Sequence, residues 1–111
     1  MLAKFHEMVL RAVRQLGPDC RANEIQAELT RIIGKEQSFG AVFTTLDRLD
    51  AKRFVKWEKG EPEARRGGRA PRLYTITADG VLALNEATRI SLAAQQPGNG
   101  SYGPGIAEGV A

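Results

Sequence analysis

Residues 38–55, SFGAVFTTLDRLDAKRFV, carry two helical faces in one segment. Val42, Leu46 and Leu49 recur at four- and three-residue spacing, which places them on one stripe, and Phe39 and Phe43 flank it. That face requires a core. The opposite side holds Ala41, Thr44 and Arg48, with Thr45 beside them, so it offers small and polar groups plus one long cation. Such a surface suits close approach to a flat, polar partner, although any amphipathic surface helix also has a polar back. Ser38 is placed to cap the first turn with its hydroxyl, and Gly40 lets that end come near another backbone.

Two short segments follow. Phe54 to Lys59 (FVKWEK) and Arg72 to Thr77 (RLYTIT) alternate apolar with polar residues as strands do. Between them lies GEPEARRGGRAP, a Gly- and Arg-rich loop. A helix followed by a two-stranded ribbon with a basic tip is the layout of a winged helix-turn-helix, in which the second helix of the pair enters the DNA major groove. The expected fold class is therefore mainly α with a small β-hairpin wing.

Charge supports this layout by its position rather than its amount. The 111 residues carry a net charge of +3. From Arg48 to Arg72 nine basic residues face four acidic ones, a net +5, which leaves −2 for the rest of the chain. Positive charge is concentrated on the helix and ribbon, as binding to a polyanion requires, and a solvated arginine-rich loop would look similar. At 42% hydrophobic and 26% charged the chain is globular in type and long enough for one modest core. The single cysteine, Cys20, has no partner for an internal disulfide, which fits a reducing cytoplasmic setting. The first residues, MLAKFHEMVLRAV, are interrupted by charge, and no run approaches membrane-spanning length, so a soluble protein is expected.

The remaining elements frame the central pair. Phe5, Met8, Val9, Ala12, Val13 and Leu16 form an apolar stripe that predicts a helix over 3–16, stopped by Gly17-Pro18. His6 lies near that stripe with no second His and no Cys pair, which argues against a metal site or a Cys/His nucleophile. A second helix is expected to begin near Asn23, with Asn23 and Gln26 as a capping box and Ile25, Leu29, Ile32 and Ile33 as its apolar face, and to end at Gly34. Lys35 to Gln37 leaves room only for a turn or a single bridging strand. After the wing, Thr77 should cap a fourth helix from Ala78 to Ala94, whose apolar residues spread over more than one face. One such face could meet a second subunit, although the alanine-rich end is also plain helix propensity. Residues 1–94 thus read as one domain, and residues 95–111, rich in Gly and Pro, as a flexible tail.

Read together, SFGAVFTTLDRLDAKRFV, GEPEARRGGRAPRLYTIT and TADGVLAL resemble the PadR family of bacterial transcriptional regulators. Members carry a pattern close to S-x-G-x-x-Y-x-x-L-x-R-L-x-x-x-G-L-V, then R-G-G-R-x-x-R-x-Y-x-x-T-x-x-G. The resemblance covers roughly residues 5–90. It implies a winged helix, sequence-specific binding of double-stranded DNA, and action mostly as dimeric repressors. Carried over by position, Ser38, Ala41, Thr44, Thr45 and Arg48 would lie on the recognition helix, and Arg65, Arg66, Arg69 and Arg72 on the wing. Two positions depart from the pattern: Phe43 stands where Tyr is usual, and Arg53 replaces the Gly that normally follows the helix.

The expected function is that of a homodimeric repressor on an inverted-repeat operator. No catalysis, cofactor or metal is implied. Family members often respond to small molecules, yet no residue here identifies an effector pocket. The competing reading is a winged-helix module that binds another protein and not DNA. The arginine-rich wing separates the two, because phosphate contacts need it and a protein-binding module does not.

Overall fold

Six elements follow one another in the computed structural model: α1 (Lys4–Leu16), α2 (Ala22–Ile33), α3 (Phe39–Ala51), β1 (Val55–Lys59), β2 (Arg72–Ile76) and α4 (Ala78–Gln95). The structure describes residues 2–62 and 70–95. Every expected element is present within a residue or two at each end, apart from α3. That helix stops at Ala51, after which the chain turns into β1. The fourth helix runs one residue further than expected, to Gln95.

The hub is α1, which touches α2, α3, α4 and β2. Its stripe buries Val9, Ala12 and Val13 as expected, and also Leu10, which lies off the stripe. A helix packed on several sides buries more than one face, so a single-stripe reading misses Leu10, while Leu16 at the helix end stays 37% exposed. Full burial of one aliphatic side chain contributes about 1.5–3 kcal/mol. The i,i+4 ion pair of Glu7 and Arg11 on the same helix, at 2.8 Å, contributes about 0.3–0.5 kcal/mol by comparison. Apolar packing therefore holds α1, joined in the core by Ile25 and Leu29 of α2, Val42, Leu46 and Leu49 of α3, Val55, Tyr74 and Leu84.

Capping of α2 differs from the expectation. The helix begins at Ala22, and Glu24 rather than Gln26 reaches back, its Oε1 accepting the Arg21 N–H at 2.8 Å. The Gln26 amide instead donates to the Gln37 carbonyl at 2.7 Å, and the Gln37 N–H meets the Thr30 hydroxyl at 3.3 Å. These two bonds pin the short turn between α2 and α3. Gly34 ends α2 in the left-handed region at φ +81°. Residues 35–37 form no strand. The bridging pair is found elsewhere, between Cys20 and Tyr74, whose backbones exchange N–H···O bonds of 3.0 and 2.7 Å.

The ribbon is antiparallel, with Val55 opposite Ile76, Trp57 opposite Tyr74 and Lys59 opposite Arg72. Its inner face carries Val55 and Tyr74, both buried. Ser38 caps α3, its Oγ accepting the Ala41 N–H at 3.0 Å. At the other end of α3 the Phe54 N–H bonds to the Leu49 carbonyl and the Arg53 N–H to the Asp50 carbonyl, both at 2.9 Å. This is a Schellman turn, and Arg53 occupies its left-handed position at φ +64°. The geometry that glycine would favour is kept although the glycine is missing.

The start of α4 is fastened to that turn. The Thr77 hydroxyl donates to the Arg53 carbonyl at 2.7 Å and accepts the Gly80 N–H at 3.0 Å, while the Thr77 N–H donates to the Phe54 carbonyl at 3.0 Å. Gly80 is buried where the first turn of α4 crosses Phe54, so a Cβ there would strike the Phe54 carbonyl oxygen and Ile76.

Candidate nucleic-acid interface

Ala41, Thr44 and Arg48 all lie on the exposed face of α3, as the helical periodicity requires, and Ser38 is exposed at its head. Beyond its own turn of helix, no atom of the described residues comes within 4 Å of where a Cβ on Gly40 would stand, so its open side faces outward. Thr45 corrects the expectation: it is only 5% exposed and belongs to the core side. At 100° per residue Thr45 falls about 60° from Val42 and only about 40° from Leu49. Its polarity, rather than its angle, is what groups it with the outer face in the sequence.

Arg72 is engaged within the protein. Its guanidinium carbon lies 4.1 Å from the Trp57 ring centroid and 4.9 Å from that of Phe43. One nitrogen donates to Asp47 Oδ1 at 3.0 Å, and the same nitrogen stands 3.5 Å from the Tyr74 hydroxyl, the limit of a hydrogen bond. Two aromatic rings and a carboxylate thus engage a side chain expected to face DNA. Phe39 stacks on Phe43, with centroids 5.9 Å apart. Trp57 is tied in turn to α3, its indole N–H reaching Asp50 Oδ2 at 3.3 Å. The residues missed by sequence reasoning are therefore Asp47, Asp50 and Trp57. For Trp57, strand register is the signal that could have found it, since Trp57 and Arg72 are diagonal neighbours on one face of the ribbon. Arg65, Arg66 and Arg69, the other expected wing residues, lie outside the described residues.

The cations at the end of α3 are felt by His6. Burial, then Lys52 and Arg48, push its pKa below the ordinary value of 6.5, and its Nδ1 is buried without a hydrogen-bond partner. Such an imidazole stays neutral near pH 7. Cys20 is equally quiet, because burial pushes its thiol up to about 11. Among the described residues no group of His, Cys, Asp and Glu could hold a metal ion, and no helix is long and apolar enough to cross a membrane.

Away from this face, α1 and α4 are joined by Arg11 to the Thr88 hydroxyl at 2.8 Å and Arg14 to Asn85 at 3.3 Å. On α4, Leu82 and Leu92 are 64% and 54% exposed, Ile90, 37% exposed, lines a groove with Leu2, Glu7 and Phe54, and Glu86 and Arg89 form a surface ion pair.

No protein-family model matches the chain, and no curated protein matches it in sequence. Solved structures do. RosR of H. salinarum is 25% identical, with a TM-score of 0.65 over 84% of this chain and 76% of that one. A PadR family transcription regulator from Clostridium difficile is 17% identical, with a TM-score of 0.66 over 84% of this chain and 92% of its own. Bacillus subtilis PadR, solved in complex with operator DNA, is 15% identical, with a TM-score of 0.66 over 94% of this chain and 55% of that longer one. Four helices, a two-stranded ribbon after the third and these likenesses agree: the chain has the winged-helix fold shared by the PadR family regulators and RosR.

Proposed function

We propose that this protein is a sequence-specific DNA-binding transcription regulator of the PadR type, with α3 as its recognition helix. The supporting observation is the outer face of α3, where Ala41, Thr44 and Arg48 stand exposed behind a capped, open N-terminus at Gly40. Small side chains let a helix enter the major groove deeply, and one arginine can then donate two hydrogen bonds to the edge of a guanine. The position of the helix in the fold supports the same reading, because Bacillus subtilis PadR shares this fold and was solved on operator DNA. Arg65, Arg66 and Arg69 lie between the two strands in sequence, in a Gly- and Arg-rich segment that suits contacts to phosphates. In this reading the protein acts as a homodimer through α4, on an inverted repeat, and as a repressor.

Selection of duplexes from a random pool tests the proposal and supplies the preferred site. Arg48→Ala should then weaken binding to that site by about 1–3 kcal/mol more than to random DNA. An equal loss on every sequence would make Arg48 a phosphate contact. Absence of duplex binding at low salt would favour a winged-helix module that binds a protein.

A further inference from the structure

We propose that Arg72 is a positioning residue, which locks the wing to the recognition helix through Asp47, Phe43 and Trp57 so that both meet DNA as one rigid body. The inference rests on the DNA-binding reading above and replaces, for Arg72, the expected contact with DNA.

Four observations converge on it. First, the guanidinium lies within cation–π distance of two rings, one from α3 and one from β1, at 4.9 and 4.1 Å. Second, it pairs with Asp47 at 3.0 Å, a residue on the exposed side of α3 between Thr44 and Arg48 in sequence. A free carboxylate there would repel phosphate, so the pairing also removes an unfavourable charge from the surface that approaches DNA. Third, Trp57 is itself bonded to Asp50, which gives the ribbon a second attachment about one helical turn along α3 from the first. Fourth, position 43 holds Phe and not Tyr, which leaves a ring without a hydroxyl to divert toward a phosphate. Only two residues, Ala70 and Pro71, separate Arg72 from Arg69 in sequence, so fixing it fixes the strand end next to the arginine-bearing segment.

An arginine suits this task and a lysine does not. The planar guanidinium can lie between rings while its edge reaches a carboxylate, whereas an ammonium is a hydrated point charge with no face to stack. At a phosphate, by contrast, lysine substitutes readily because charge is what counts. This difference supplies the test. Trp57 is the only tryptophan of the chain, so its emission reports the stack directly.

The full-length protein and Arg72→Lys are compared on the preferred duplex and on a random duplex, over a range of salt concentrations and well below the unfolding temperature. Arg72→Lys should shift Trp57 emission and lower affinity for the preferred duplex about tenfold, while affinity for random DNA changes little. The double variant Asp47→Asn with Arg72→Met removes both charges together and should leave the salt slope as it is. A slope shallower by about one for each copy bound would show that Arg72 neutralises a phosphate, and would overturn the proposal. A shifted emission with unchanged discrimination would also overturn it, since the stack would then be structural only. If the unaltered protein binds no duplex, the DNA-binding reading fails and the positioning role fails with it. Native binding alongside a silent Arg72→Lys variant sinks the positioning role alone.

Discussion

At the scale of single residues, Arg53 shows what a departure from a family pattern means physically. Glycine is usual after this helix in that pattern because the Schellman turn needs a left-handed residue, and here Arg53 adopts φ +64° to supply it. A left-handed conformation costs a non-glycine residue about 1–2 kcal/mol. Arg53→Gly should therefore raise stability by about 0.5–1 kcal/mol, the gain being reduced by the greater freedom of glycine in the unfolded chain. Urea denaturation would show it as a higher midpoint at unchanged slope, and a lower midpoint would contradict the strain argument. The substitution and its position are plain in the sequence, yet whether the turn survives depends on the bonds from Arg53 and Phe54 back into α3. Thr45 and Arg72 mark the same limit. Polarity alone places Thr45 outward and charge alone places Arg72 on DNA, whereas burial and partners are properties of the folded neighbourhood.

At the scale of elements, the junction of α3, the ribbon and α4 is the most constrained part of the chain. Two glycines on helices illustrate this by giving opposite expectations. Gly80→Ala would drive a Cβ into the Phe54 carbonyl and Ile76, and neither neighbour is the free end of a flexible side chain. Overpacking of this kind costs about 1–3 kcal/mol, against a propensity gain of about 1 kcal/mol for replacing glycine in a helix. With backbone as the obstacle the steric term wins, and thermal unfolding should show a net loss. Gly40→Ala meets nothing within 4 Å and keeps the propensity gain, so the free protein should become more stable by about 0.5–1 kcal/mol. Equal effects of the two substitutions would contradict this account of the junction. Thr77 and Gly80 are legible in the sequence as T-x-x-G, because a cap and a close approach leave their mark on residue type. The Gln26 and Glu24 bonds are not legible there, since several residues near a helix start can compete to cap it and geometry selects among them.

At the scale of the whole molecule, the question is what covers α4. Leu82 and Leu92 are exposed on α4, away from the groove beside α1 that Ile90 lines with Leu2 and Phe54. A two-fold axis through that face would bring the same surface of both copies together, as an isologous dimer requires. Sedimentation at micromolar concentration should show a dimer, and Leu82→Asp with Leu92→Asp should yield monomers that remain folded. A native protein that sediments only as a monomer would remove the dimer from the proposal. The multi-sided apolar pattern of this helix is visible in the sequence, but the choice between core and subunit contact is not, because both leave apolar residues at helical spacing. The pairing of Cys20 with Tyr74 has a different implication, which concerns association rather than recognition. A two-stranded ribbon has two edges, and each can add a strand from another molecule. Here the middle of the β2 edge is already occupied by Cys20, and β1 exposes Lys56, Glu58 and Lys59. Charged side chains beside an open edge discourage strand addition, and at Tyr74 the backbone groups of the β2 edge are already bonded to Cys20. The described part of the ribbon is thereby guarded against pairing edge to edge with the ribbon of another copy.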